Sequence, residues 1–439
     1  MIALVLLLFA LLLPSTLTLL PPAPPALPAL PESSLTRYSR HLLLPTFGLE
    51  NQKILSKSRV LVCGAGGLGS PLLQYLAAMG VGKLGVIDGD TVDLSNLQRQ
   101  IIHGEGTVGV NKAVSAKKRI MEINSETNVQ TWEEEMTSSN ADRIMKEGWD
   151  VIVDGSDNFP TKYLLSDLSE MYGVPFIYGG VLGFDGQVSV FNYPPSIGPS
   201  YRDYLPDPPN PENIPSCAEG GVLGAVPGVI GMMQCVELVK VLVNTHVDAG
   251  GEGVRMGKVR DDLGKCDVKV YEALEGTWKS VVVERDQNRE VPKELVDYVG
   301  FCRGFDAPAV EAPEGARTMD EAAYETVDTS SGEFTTIPPK EVLQRMLDGW
   351  NPYVIDVRIK PEEKIARLPF TDALIPHREV ESTDLPLNRD VLFFCKGGVR
   401  SNKVCKRAVR EFGLDNAIYE IEGGIMGWKK EIDDSIPKY

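Results

Sequence analysis

Two cysteines and one glycine-rich run followed by spaced cations are the parts of this 439-residue chain equipped for chemistry. The apolar run Val391 to Phe394 leads directly into Cys395-Lys396-Gly397-Gly398-Val399-Arg400-Ser401, after which the periodicity is helical. A loop of that kind aims consecutive backbone N–H groups at one sulfur. With the helix start and Arg400 adding positive potential, it stabilises a thiolate or a persulfide anion at Cys395. Cys217 stands after the proline-rich stretch from Tyr193 to Pro215 and just ahead of Gly220-Gly221 and a helix expected from near Val226. A thiol on a polar loop close to a helix start can have a lowered pKa, so Cys217 is the second candidate nucleophile. Cys235, on an apolar helical face with Met232, Met233 and Leu238, reads as core; Cys405 reads as packing, Cys63 and Cys266 as incidental thiols, and Cys302 receives no assignment.

Gly64-Ala65-Gly66-Gly67-Leu68-Gly69 lies between an expected strand and an expected helix. Gly64, Gly66, Gly67 and Gly69 let phosphate approach the backbone, and the helix N-terminus supplies aligned N–H groups. Asp88 ends the next strand, where a carboxylate can accept from ribose hydroxyls. Those residues alone would suit a dinucleotide. Asn96, Arg99, Lys112 and Asp157 then follow successive elements of the same expected sheet. Two phosphates need little extra charge, whereas a triphosphate with Mg²⁺ needs several cations and an oxygen ligand. The full set is better matched to ATP.

The elements that must hold these residues are legible as alternation. Val60 to Cys63, Leu84 to Ile87, Val151 to Val153, Phe176 to Tyr178 and Val188 to Phe191 read as strands; Leu68 to Met79, Lys112 to Ile123 and Thr161 to Met171 read as helices. The pattern predicts an α/β fold with a Rossmann-like, mainly parallel sheet covered on both faces. Periodicity lapses between Ala307 and Asp328, and returns with helices over Pro338 to Asp348 and Ser401 to Phe412 and strands over Tyr353 to Val357 and Val391 to Phe394. The expected organisation is a segment at 1–31, a large α/β domain at 32–290, a linker at 291–333 and a second α/β domain at 334–439.

Composition narrows the function classes. A formal charge of −17 argues against a broad electrostatic grip on nucleic acid, and 43% hydrophobic with 24% charged residues is ordinary for a globular chain. Seven cysteines at irregular spacing are too few for a disulfide scaffold. Residues 1–31 contain an apolar run, a patch broken by Pro14, and a proline-dense stretch without any charge. They are short for a membrane span and resemble a targeting peptide's apolar core, yet the basic flank is missing, so a gene-model artefact or a marginal anchor is the alternative.

From Leu35 to Glu284 the chain resembles the MoeB/ThiF family of ubiquitin-activating-type adenylating enzymes. The motifs are Arg37-Tyr38-Ser39-Arg40-His41, the glycine loop, Asp88-Gly89-Asp90-Thr91-Val92, Leu94 to Gln100, and Cys217-Ala218-Glu219-Gly220-Gly221-Val222. The resemblance implies ribose binding by Asp88, phosphate binding by Arg99 and Lys112, Mg²⁺ at Asp157, and an Arg40 that reaches the ATP site of a second copy in a homodimer. It also implies that Cys217 receives or resolves the activated acyl group. Relatives carry paired Cys-x-x-Cys motifs for a structural zinc; here the corresponding stretches read Ser200-Tyr201-Arg202-Asp203 and Asp286-Gln287-Asn288-Arg289, so zinc is expected to be absent. The Cys395 loop resembles that of the rhodanese sulfurtransferases, as do Asp356-Val357-Arg358 with Glu362 and Glu363, and Glu422-Gly423-Gly424 with Gly427-Trp428. Four residues separate Cys395 from Arg400, where cysteine phosphatases have five, a ring that suits sulfur better than phosphate.

The order of the two parts implies an enzyme that adenylates the Gly-Gly C-terminus of a ubiquitin-like sulfur-carrier protein and then delivers sulfur to it, loaded by a cysteine desulfurase or other persulfide donor. Transfer RNA thiolation and molybdopterin synthesis are the implied pathways, and a cytoplasmic location is implied, with entry to an organelle or the secretory route through residues 1–31 as the alternative. Two rivals remain at this level: an activating enzyme that forms a thioester on Cys217 for conjugation, and a non-catalytic scaffold of the same fold.

Overall fold

The computed structural model describes residues 27–209, 221–259, 264–303, 334–386, 389–411 and 417–437. Contacts divide the chain into two units, Met1–Thr318 and Met319–Tyr439.

The first unit is built on eight strands: β1 (Arg59–Cys63), β2 (Lys83–Ile87), β3 (Asn128–Trp132), β4 (Val151–Asp154), β5 (Phe176–Leu182), β6 (Asp185–Phe191), β7 (Lys265–Glu272) and β8 (Thr277–Glu284). Their order is β3-β2-β1-β4-β5-β6-β7-β8, parallel from β3 to β5 and antiparallel beyond. β1, β2 and β4 are buried almost throughout, which is why they read as unbroken apolar runs. β7 and β8 were not expected from the sequence; charged residues interrupt them and β8 is exposed along most of its length. The expected helices appear as Gly69–Ala78, Lys112–Ile123 and Phe159–Tyr172. Helix Ala225–Asp248 is apolar because it is a core element: Cys235, Leu238, Val241 and Val243 are buried with Val62, Leu72 and Leu76. It approaches so closely that a Cβ on Gly231 would stand 2.5 Å from the Leu68 carbonyl oxygen.

The expected linker starts at 291, but Tyr298–Arg303 forms a helix whose Tyr298 and Cys302 are buried in the first unit's core with Tyr163 and Leu164. Apolar packing therefore carries this unit past 290, and Cys302 acquires a role as a core residue.

The second unit carries β9 (Thr335–Ile337), β10 (Tyr353–Asp356), β11 (Ala373–Leu374), β12 (Val391–Phe394) and β13 (Ile418–Ile421), all parallel in the order β11-β10-β12-β13-β9. Helix Pro339–Leu347 matches expectation, and helix Val399–Glu411 begins two residues before the expected Ser401. In the first sheet the strands from β1 are laid down first to one side and then to the other, and in the second the same holds from β10, with β9 at the far edge beside β13. The reversal opens a crevice beyond the carboxyl ends of β1 and β4 in one unit and of β10 and β12 in the other.

Candidate active sites

At the first crevice two loops meet backbone to backbone. Gly64 follows β1 with φ +100°, and Gly155 follows β4. A Cβ on Gly64 would lie 2.6 Å from the Gly155 carbonyl oxygen, and one on Gly155 2.5 Å from that of Gly64. Gly69 opens its helix under a similar constraint, with the Gly64 oxygen 2.0 Å from where its Cβ would be. Asp88, at the end of β2, accepts from the Ala65 N–H at 2.8 Å and the Asp90 N–H at 3.0 Å, and so braces the glycine loop. Burial pushes its carboxyl up, against the pull of Lys112 and those two N–H groups. Lys112 is buried, with Nζ 2.6 Å from Asp90 Oδ2. Beneath the loop His103 Nε2 lies 2.9 Å from the Ala65 oxygen and Nδ1 2.9 Å from Ser115 Oγ. Burial lowers its pKa, and a neutral ring donating from Nε2 to the carbonyl satisfies both contacts.

Gly64, Gly66, Gly67, Asp88, Arg99, Lys112 and Asp157 line one cleft, so the sequence-predicted nucleotide residues are largely brought together. Gly69 serves helix packing rather than the wall. Asn96 accepts from the Asp93 N–H at 3.2 Å, the return bond to Asp93, which caps the short turn Leu94–Asn96. Arg40 is exposed on helix Ser39–Leu42 and does not line the cleft of its own chain. Cys217 lies outside the described residues.

Sequence reasoning missed Lys162. Its side chain is 7% exposed, and Nζ reaches Asp154 Oδ2 at 2.6 Å, the Gly179 oxygen at 2.8 Å and the Ser156 oxygen at 3.1 Å. Asp154, fully buried, accepts from the Ser156 N–H and hydroxyl through its other oxygen. This pair clamps the loop that presents Asp157. The available signal was a lysine in a largely apolar helix, eight positions after a carboxylate at a strand end. Gln100 and Glu135 also line the cleft; burial pushes the Glu135 carboxyl up, and the nearby charges of Asp90 and Asp88 push the same way. The wall thus offers two cations, Arg99 and Lys112, and four carboxylates, of which Asp88 is held by backbone N–H groups and Asp90 by Lys112, while Asp157 sits on the clamped loop. That suits a metal which takes one or two protein carboxylates and completes its shell with phosphate and water.

The two stretches compared with zinc motifs are joined by charge. Arg289 Nε lies 2.9 Å from Asp203 Oδ1, and its two terminal nitrogens bind the Glu170 carboxylate at 2.9 and 2.6 Å. Arg202 holds Asp167 in a two-point contact at 2.7 and 2.9 Å, and the Tyr298 hydroxyl donates to the same carboxylate at 2.7 Å.

At the second crevice β12 delivers Cys395, which is 1% exposed. Gly398, with φ +95°, turns its N–H to Cys395 Sγ at 3.1 Å, and the Ser401 hydroxyl lies 3.4 Å from the same sulfur. The Gly423-Gly424 turn, at φ +67° and +56°, packs under this loop; a Cβ on Gly424 would be 2.3 Å from the Cys395 carbonyl oxygen. Ile425 and Met426 N–H groups donate to the Cys395 and Lys396 carbonyls. Arg400 engages Glu362 in two parallel bonds of 2.6 and 2.7 Å. Asp356 and Arg358 form a wholly buried pair, with Arg358 also donating to the Ala366 carbonyl at 2.8 Å. That pair fixes the segment carrying Glu362, which in turn orients Arg400.

The ThiF family matches residues 38–290 and the rhodanese-like domain residues 339–431. The probable adenylyltransferase/sulfurtransferase MoeZ of Mycobacterium tuberculosis is 37% identical, over 96% of this chain and 100% of its own length. The adenylyltransferase and sulfurtransferase MOCS3 of Dictyostelium discoideum is 32% identical over 93% and 97%, and the adenylyltransferase and sulfurtransferase UBA4 of Debaryomyces hansenii is 34% identical over 92% and 88%. A cleft of cations at one strand reversal, a sulfur-cradling loop at another, and relatives matched over both halves make this chain a member of the ThiF family that ends in a rhodanese-like domain.

Proposed function

We propose that this enzyme adenylates the C-terminal glycine of a ubiquitin-like sulfur carrier and converts it to a thiocarboxylate with sulfur held on Cys395. The observation that carries the reading is one chain holding both a cleft lined by Arg99, Lys112 and Asp157 and a cysteine whose sulfur accepts from the Gly398 N–H. The carrier's carboxylate attacks the α-phosphate of ATP and pyrophosphate leaves. Arg99 and Lys112 offset charge building on the phosphates, and Mg²⁺ held by Asp157 would polarise them. AMP leaves when the outer sulfur of the Cys395 persulfide attacks the acyl carbon to give an acyl disulfide. The Cys217 thiolate then attacks the Cys395 sulfur, the S–S bond to the acyl sulfur breaks, the thiocarboxylate leaves, and an external thiol reduces the Cys217–Cys395 disulfide. The product serves tRNA thiolation, molybdopterin synthesis or both, and the carrier rather than this acidic chain meets RNA.

Arg40, exposed and away from its own cleft, fits a residue donated to a second copy in a homodimer. The donor of sulfur is a cysteine desulfurase or a protein of like chemistry. We place the enzyme in the cytoplasm; imaging the full chain beside one lacking residues before Glu32 tests this, and organellar signal from the full chain alone would refute it. For the reaction, pyrophosphate exchange that requires a Gly-Gly-ended carrier is expected. Cys395→Ala should abolish thiocarboxylate formation and leave exchange intact, and thiocarboxylate formed by that variant from a persulfide donor would overturn the relay.

A further inference from the structure

One hydroxyl proton at the sulfur site has three acceptors within reach. Ser401 Oγ lies 2.7 Å from Glu420 Oε1, 3.0 Å from the Gly398 oxygen and 3.4 Å from Cys395 Sγ. Ser401 is fully buried and Glu420 is 3% exposed, so water does not settle the competition. Glu420 is set on β13, and its other oxygen accepts from Asn402 at 3.0 Å and Thr336 at 3.3 Å. An ionised Glu420 takes the serine proton in a short, charge-assisted bond and sets a second negative charge beside any anion on Cys395. A protonated Glu420 reverses the bond: it donates to Ser401 Oγ, and the serine proton is released to the sulfur.

We propose that Glu420 is a positioning residue that controls the Cys395 anion through Ser401, taking up one proton when the sulfur gives one up. The inference rests on Cys395 being the sulfur-bearing nucleophile, but its test needs only the thiol. The step balances: the proton leaving Cys395 Sγ–H is matched by one bound at Glu420 Oε1, the Ser401 proton shifts from carboxylate to sulfur, and the pair keeps a single negative charge. Burial pushes the Glu420 carboxyl up, against hydrogen bonds from Ser401, Asn402 and Thr336 and the charge of Lys406. The groups facing it are Ser401, Asn402, Lys406 and Cys405 from helix Val399–Glu411 and Thr336 from β9, with Cys395 reached through Ser401. The Cys405 thiol is itself driven well above its ordinary range by burial, then by Glu420, then by Cys395.

The experiment is the pH profile of Cys395 alkylation by iodoacetamide in the full chain, read at the Cys395 peptide by mass spectrometry. Glu420→Gln removes the competing charge and keeps a donor for Ser401, so half-maximal alkylation should move down by about one pH unit or more. Ser401→Ala should slow alkylation at every pH below the midpoint, with Ser401→Thr restoring it. In the Ser401→Ala background the effect of Glu420→Gln should shrink to less than half. An unmoved midpoint in Glu420→Gln, or a shift of full size without the Ser401 hydroxyl, overturns the relay. Should Glu420→Gln fail to fold, the Ser401→Ala and Ser401→Thr pair decides the matter: equal profiles for both and wild type exclude a serine-mediated path. Loss of thiocarboxylate synthesis with these profiles as expected would count against the proposed reaction and leave the relay standing.

Discussion

At the scale of single residues, the unpredicted Lys162 carries a sharp expectation. Replacing it by Met leaves Asp154 buried without its cation, a change that costs about 3–5 kcal/mol when a buried pair is broken. Lys162→Met should therefore lower the midpoint of thermal unfolding and reduce carrier-dependent pyrophosphate exchange, because the Asp157 loop loses its anchor. A variant of unchanged stability and exchange would show that the clamp has no such role. The residues that could be read in advance were those whose chemistry dictates spacing: glycines around a phosphate loop, a cysteine at a strand end, an arginine five places on. Lys162 and Glu420 escaped because a buried charge on a helix or strand has the same letters as a solvated one. Only its partners, brought from distant positions, distinguish it.

Elements give the next level, and here charge closes the first unit. Glu170 and Asp203 have side chains 1% and 0% exposed, while Arg289 between them is 17% exposed. Arg289→Met should lower stability by on the order of 2–3 kcal/mol, less than for a fully buried pair because the guanidinium is partly in water. The pH dependence has a definite sign. Burial opposes ionisation of Asp203, but Arg289 and the Ser200 N–H outweigh it and hold the carboxyl below its ordinary range. Below pH ~4 the unfolded chain therefore binds the proton first, and stability falls as pH drops through the folded value. Urea unfolding from pH 6 to 3 should show this fall, and Arg289→Met should flatten it. Glu362, lowered by Arg400 in spite of burial, adds a loss of the same sign in the second unit. Apolar runs made β1, β2, β4, β5, β6, β10 and β12 legible, whereas the short or polar parallel strands β3, β9, β11 and β13 were not, nor were Lys265–Glu272 and Thr277–Glu284, since antiparallel strands with a wet face carry charges at the very positions that define a buried run.

For the molecule as a whole, each site is assembled by one sheet, so the two chemistries should separate cleanly. Lys162→Met should suppress pyrophosphate exchange while Cys395 still loads with persulfide from thiosulfate; Glu362→Gln should do the reverse by freeing Arg400. Cross-effects in either direction would refute independent units. Charge is divided as unevenly as function: residues 334–439 hold 17 basic and 17 acidic side chains, so the whole −17 belongs to the part before them. The contact of Gly64 with Gly155 acquires a further meaning once the molecule is regarded as something inherited. Each glycine faces backbone, and a peptide oxygen cannot be mutated away. No change elsewhere in the gene can make room for a methyl at either codon, so missense variants there should be purged one by one, with no compensating partner to rescue them.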